Sequence, residues 1–164
     1  LINYLHKIGW FIGLVLLQVL ILNNVHIAGY ATPFLYIYLI LKFESDTPRN
    51  ALMLWAFFLG LAVDVFSDTP GMNAAATVLL AFLRPTFLRL FVPRDTLDTL
   101  VPANNGDSSF PENLVVSVLI HHGLLLTLEF FSFAHIGTLL LRIAASTLLT
   151  VTCIMAVEGI RKKG

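Results

Sequence analysis

The chain has 164 residues, of which 57% are hydrophobic and 12% charged, and its ten basic and ten acidic residues cancel. With a mean hydropathy of +0.85, it falls outside the composition of soluble domains and reads as an integral membrane protein. Zero net charge offers no field to recruit nucleic acid or acidic partners. A single cysteine, Cys153, excludes an intrachain disulfide and is expected to pack as a small hydrophobe.

Six segments approach the roughly 20 apolar residues needed to cross a hydrocarbon core about 30 Å thick. They lie near 7–24, 27–43, 49–66, 71–91, 112–133 and 137–158. The first follows Lys7 and resembles a signal peptide. It lacks a small-residue cleavage site and is expected to stay in the protein. Its Gly9 and Gly13 are expected to serve close packing inside the bundle, while Gln18, Asn23 and Asn24 add polar groups at its outer end. The second segment contains Pro33 after a polar stretch, so a short or tilted span is expected there.

Spans three and four form a hairpin over Gly60-Leu-Ala-Val-Asp64-Val-Phe-Ser67-Asp68-Thr-Pro70-Gly71. Pro70 fixes φ and Gly71 tolerates any φ, which permits a sharp reversal. Asp64 lies in a run that is otherwise lipid-soluble, and an intramembrane carboxylate is a functional-site hypothesis by default. Asp68 is expected to cap the fourth span or to bond within the turn. Arg84, thirteen residues or roughly 20 Å below the turn, stands beside Pro85. It is expected either to snorkel toward the cytoplasm or to form a cytoplasmic docking surface with Arg89 and Arg94.

Residues 92–111 are rich in Pro, Asn, Gly and Ser and are expected to form a cytoplasmic loop. In span five, His121 and His122 are adjacent and lack metal-ligand spacing, so they are expected to be satisfied interior histidines. Glu129 lies roughly 6 Å from the outer end of span five and Arg142 roughly 8 Å into span six. The two are expected to pair, because paired charges cost less than separate ones in an apolar phase. With Asp64 and Gln18 they define an expected outer pocket for a ligand or a partner's helix.

Lys7, Lys42, Arg49, Arg89, Arg94, Arg161, Lys162 and Lys163 all fall at one set of span ends, and the opposite turns carry no Lys or Arg. Basic residues favour the cytoplasmic side. The expected fold is therefore an all-α polytopic bundle of six transmembrane helices with both termini cytoplasmic, forming one integral membrane domain over residues 1–164. The sequence holds no Gly-x-Ser-x-Gly, His-Glu-x-x-His or Walker motif, so no catalytic set, metal site or cofactor site is expected.

The pattern Gly60-x-x-x-Asp64-x-x-Ser67-x-x-Pro70-Gly71 before an Ala-rich span, together with chain length, span count and the loop after span four, resembles the rod shape-determining protein MreD family. Many members place one residue between the Pro and the Gly that are adjacent here. The resemblance implies a non-enzymatic scaffold or adaptor in the bacterial inner membrane. Such a protein would bind a single-span MreC-like protein and help couple MreB filaments to the peptidoglycan synthases of cell elongation; it leaves self-association open. The family is also similar in fold to the substrate-binding membrane subunits of energy-coupling-factor transporters, which have an outer ligand pocket. That similarity implies, as the alternative, a small-molecule-binding subunit of a transporter.

Overall fold

The computed structural model describes residues 2–25, 31–44, 46–91, 110–130 and 136–161. Among these residues every regular element is a helix. Helix α1, Ile2–Leu20, is followed by a 3-10 turn at Leu22–Asn24. A second 3-10 turn, Leu35–Ile37, runs into the four-residue helix α2, Tyr38–Leu41. Four long helices complete the order: α3, Arg49–Ser67; α4, Met72–Phe91; α5, Phe110–Phe130; and α6, Ile136–Arg161. Helix α4 continues through Pro85. The loop expected over 92–111 lies almost wholly outside the described residues, as does Arg94.

The second expected span, 27–43, is not a continuous helix. Residues 31–34 are non-helical and only seven residues, 35–41, are helical. Pro33 cannot donate to a helical ladder, and side chains from two other helices supply the bonds instead. Gln18 of α1 donates to the Pro33 carbonyl at 3.0 Å and accepts the Leu35 N–H at 2.9 Å. Ser146 and Thr150, one turn apart on α6, accept the N–H groups of Thr32 and Phe34 at 3.1 and 3.0 Å. Non-helical backbone is tolerated in an apolar interior only where protein groups satisfy it in this way. The segment is enclosed on all sides, and every residue from Phe34 to Leu41 is buried. Its apolar character all round therefore reflects burial in the centre of the bundle rather than contact with lipid.

The bundle buries polar groups within an apolar core and exposes large apolar side chains on its surface. Asn73, Thr77 and Arg84 of α4 and Asn113, Ser117, His121 and His122 of α5 are buried, while Leu54, Phe58, Phe66, Phe82, Leu119 and Leu148 are exposed. Among the described residues, three helical stretches, Leu5–Asn24, Arg49–Ser67 and Ile136–Arg161, are long and apolar enough to cross a membrane. This composition is compatible with a membrane protein.

One end of the bundle is tied together by charge. Lys7 near the start of α1 pairs with Glu44 at 3.3 Å, and Glu158 near the end of α6 pairs with Lys42 at 2.8 Å and Arg161 at 3.1 Å. Tyr38 also donates to Glu158 at 2.7 Å. Arg84 neither snorkels nor presents a docking surface: it is 2% exposed and donates to the carbonyls of Leu41, at 3.2 Å, and Phe43. The last carbonyls of a helix lack intrahelical donors, and a buried guanidinium supplies them here. Arg89 is exposed, so the expected Arg84–Arg89–Arg94 surface is not formed as a unit.

The Gly9 and Gly13 pair also differs from expectation. Both are exposed, and a Cβ at either would meet no atom within 4 Å. Internal close packing falls instead to Gly60, where a Cβ would lie 2.5 Å from the Ala74 Cα.

Candidate functional site

The site is built on the α3–α4 turn. Asp68 ends α3 in the left-handed region, with φ 55° and ψ 37°, a conformation that Asp tolerates better than most residues. Gly71 follows with φ 80°, where any side chain would be strained. This tight reversal returns the chain so that Asp64, one turn before the end of α3, faces the start of α4. Asp64 Oδ1 accepts the Asn73 N–H at 2.9 Å and Oδ2 accepts the Ala74 N–H at 2.9 Å. Oδ1 also accepts from Asn73 Nδ2 at 3.0 Å and Thr69 Oγ1 at 2.9 Å.

Asp64 is therefore the N-terminal cap of α4, a role expected of Asp68, which is exposed. Its carboxylate offsets the unpaired amides and positive dipole end of that helix. It is 3% exposed and does not line the cavity of about 340 Å³ formed near Glu129 and Arg142.

Beneath the cap, hydrogen bonds lead into the core. The Tyr36 hydroxyl donates to Asn73 Oδ1 at 2.9 Å and lies 3.0 Å from His121 Nε2, with Thr77 Oγ1 at 3.3 Å. Their polarity can be traced from the carboxylate, which only accepts. Asn73 turns its NH2 toward Asp64, so its oxygen takes the Tyr36 proton. The Tyr36 oxygen then accepts from His121 Nε2–H. His122 is assigned the other tautomer. Its Nδ1 lies 2.8 Å from the Val118 carbonyl and must donate, so its Nε2 accepts from Thr150, 3.1 Å away. Thr150 in turn accepts the Phe34 N–H. The adjacent histidines are thus held in opposite tautomers, and both are fully buried. His122 is bonded at both nitrogens, whereas His121 Nδ1 has no hydrogen-bond partner.

Above this network a cavity of about 340 Å³ opens at the end of the bundle opposite the Glu158 cluster. Glu129 and Arg142 both line it, together with Asn23, Asn24, Ser67 and Asn73. The contact expected between Glu129 and Arg142 is not one of the three ion pairs among the described side chains; the two residues share a cavity wall instead. Gln18 is fully buried and holds residues 33–35 rather than lining the cavity. Ser67 belongs to the rim, where its Oγ accepts from Asn23 Nδ2 at 2.6 Å. Gly60 and Gly71 serve the hairpin, and Pro70 sits exposed at its tip.

No protein-family model, curated protein or solved structure matches this chain.

In chemical terms, the core network holds its members by mutual hydrogen bonding. Among the described residues, no three His, Cys, Asp or Glu side chains are grouped to hold a metal ion. Several buried polar residues escaped sequence reasoning: Tyr36, Asn73, Thr77, Ser146 and Thr150 around this network, and Glu158 at the other end of the bundle. The signal was present on α6, where Ser146, Thr150, Ile154 and Glu158 recur every four residues and so share one helical face. All four are buried. Tyr36 gave no comparable signal, since its segment has no helical period to read.

Proposed function

We propose that the chain is a non-enzymatic membrane scaffold of the MreD type in the bacterial inner membrane. In this reading it crosses the bilayer several times with both termini cytoplasmic, docks a single-span MreC-like protein, and helps couple MreB filaments to the wall synthases of cell elongation. The observation that carries the reading is the interlocking of the residues behind the family resemblance. Gly60 admits Ala74, Asp64 caps α4, and Asp68 and Gly71 supply the left-handed turn. The hairpin pattern is thus a unit of folding rather than a coincidence of residue types. The large apolar side chains on the surface support a multi-pass arrangement, and the mutual bonding of the buried polar groups supports a scaffold over an enzyme.

The test is affinity capture of the full chain from detergent-solubilised bacterial membranes, with partners identified by mass spectrometry. Recovery of a single-span MreC-like protein is the expected result. Recovery of transporter ATPases without such a protein would overturn the scaffold reading. That outcome would favour a second reading, a small-molecule-binding membrane subunit, whose specific support is the open polar cavity at the bundle end.

A further inference from the structure

One aromatic side chain belongs both to the polar cavity and to the buried histidine pair. The cavity of about 340 Å³ opens at the bundle end between polar residues such as Asn24, Thr69 and Glu129, a lining that water wets. His121 and His122 are fully buried and are not among the residues that line it. Phe34 does line it, and its ring meets both imidazoles edge-on, 6.2 Å from His121 and 5.1 Å from His122 between centroids.

The two histidines differ in how completely they are bonded. His122 has a partner at each nitrogen, and Tyr36 engages His121 Nε2. In the tautomer assigned above, His121 Nδ1 is a buried acceptor without a partner. An unmet buried acceptor destabilises, and a hydrogen-bond donor that reached it would remove that penalty. The donor has to be small, because Phe34, Tyr36 and His122 crowd the His121 ring at 5.4–6.2 Å between centroids. Water meets that requirement, and the cavity supplies it.

We propose that Phe34 is a plug between the polar cavity and a water-binding site on His121 Nδ1. With the ring in place, water is kept from the imidazoles; with the ring displaced, water from the cavity donates to Nδ1. The Phe34 backbone is pinned, since its N–H bonds Thr150 Oγ1 at 3.0 Å and the same hydroxyl bonds His122 Nε2 at 3.1 Å. Rotation of the ring about its own side-chain bonds is therefore the movement that opens the way. A closed apolar void stays dry, but the space left by this ring joins a polar cavity to an unmet acceptor. The inference rests on neither functional reading above.

The test follows exchange of histidine C2 hydrogens in deuterium oxide, using the purified full chain in nanodiscs. Mass spectrometry with peptide fragmentation separates the adjacent pair, and His6, exposed on α1, is the internal reference. In wild type, His121 and His122 should exchange at least roughly tenfold more slowly than His6. Phe34→Ala removes the ring and should speed exchange at His121 roughly tenfold; Phe34→Val opens a smaller gap and should speed it about threefold. Arg84→Met removes bonds to the Leu41 and Phe43 carbonyls and leaves the plug intact, so His121 should stay protected. Wild-type exchange as fast as at His6 would overturn the plug, as would unchanged protection in folded Phe34→Ala. If Phe34→Ala does not fold, unchanged protection in Phe34→Val has the same meaning. Equal exposure of His121 in Arg84→Met would also overturn it, because exchange would then follow overall stability rather than the ring.

Discussion

Gly60 and Ala74 meet so closely that a Cβ added to Gly60 would lie 2.5 Å from the Ala74 Cα and 2.6 Å from the Ala74 nitrogen. The neighbouring atoms are backbone, which cannot rotate away as a side chain could. Gly60→Ala must therefore separate α3 from α4. Overpacking of this kind costs about 1–3 kcal/mol, occasionally more. Unfolding of the purified protein should show that loss, and a melting temperature equal to wild type would refute the close contact.

Asp64→Ala should destabilise strongly, because it removes the acceptor for two backbone amides, one carboxamide and one hydroxyl. Losing a helix cap costs about 0.5–2 kcal/mol, and each buried donor left unsatisfied about 1–3 kcal/mol. Asp64→Asn retains one acceptor oxygen but places an NH2 where a second acceptor stood, so an intermediate effect is expected. Yield and thermal stability should fall together in the order wild type, Asn, Ala. Normal stability of Asp64→Asn with loss of complex assembly would instead give the carboxylate a direct role in binding.

The Tyr36 hydroxyl joins the Asp64 cap to the histidine pair. Tyr36→Phe keeps the ring and its edge-on contact with His121, 5.6 Å between centroids, but leaves Asn73 Oδ1 and His121 Nε2 without this bond. The expected cost is about 1–3 kcal/mol. Thr150→Val, which conserves volume while removing the acceptor for Phe34 N–H, should cost a similar amount. Hydrogen exchange in Thr150→Val should show faster exchange at Phe34 than at the distant Ala74 amide; equal protection would show that the 31–34 segment is held by other means.

Arg84→Met should reduce stability by removing the donor for the Leu41 and Phe43 carbonyls from a buried site. Bonds from charged donors contribute about 1.5–3 kcal/mol each. Arg84→Lys should recover part of the loss, because one ammonium cannot match the spread of the guanidinium fork. Partner capture by the folded fraction of Arg84→Lys is expected to be unchanged. Lost capture at wild-type stability would return Arg84 to a docking role.

Most of the long helices were legible in the sequence, since their limits depend on local features. Arg49 follows Pro48 at the start of α3, and the Asp68-Thr69-Pro70-Gly71 turn separates α3 from α4. Residues 31–41 were not legible in the same way. An apolar run crossing lipid and one buried by protein on all sides have the same hydropathy, and only the hydrogen bonds made with Gln18, Ser146 and Thr150 distinguish them. The same ambiguity affected the charges. Glu129 and Arg142 could be placed at similar depth by counting residues, but counting gives no rotation about the helix axis, and that rotation sets both in one cavity wall without pairing them with each other.

Composition and local spacing alone determined an all-helical chain with an apolar exterior, the positions of its four later helices, and a sharp reversal at Pro70-Gly71, because each depends on residues close in sequence. Tertiary structure decided which polar groups meet. Asp64 finds the amides of α4 across the turn, Phe34 finds Thr150 across 116 positions, and Arg84 turns inward to the carbonyls at the end of α2. In an apolar interior every polar group needs a partner, and the choice among equivalent partners follows only from how the helices pack.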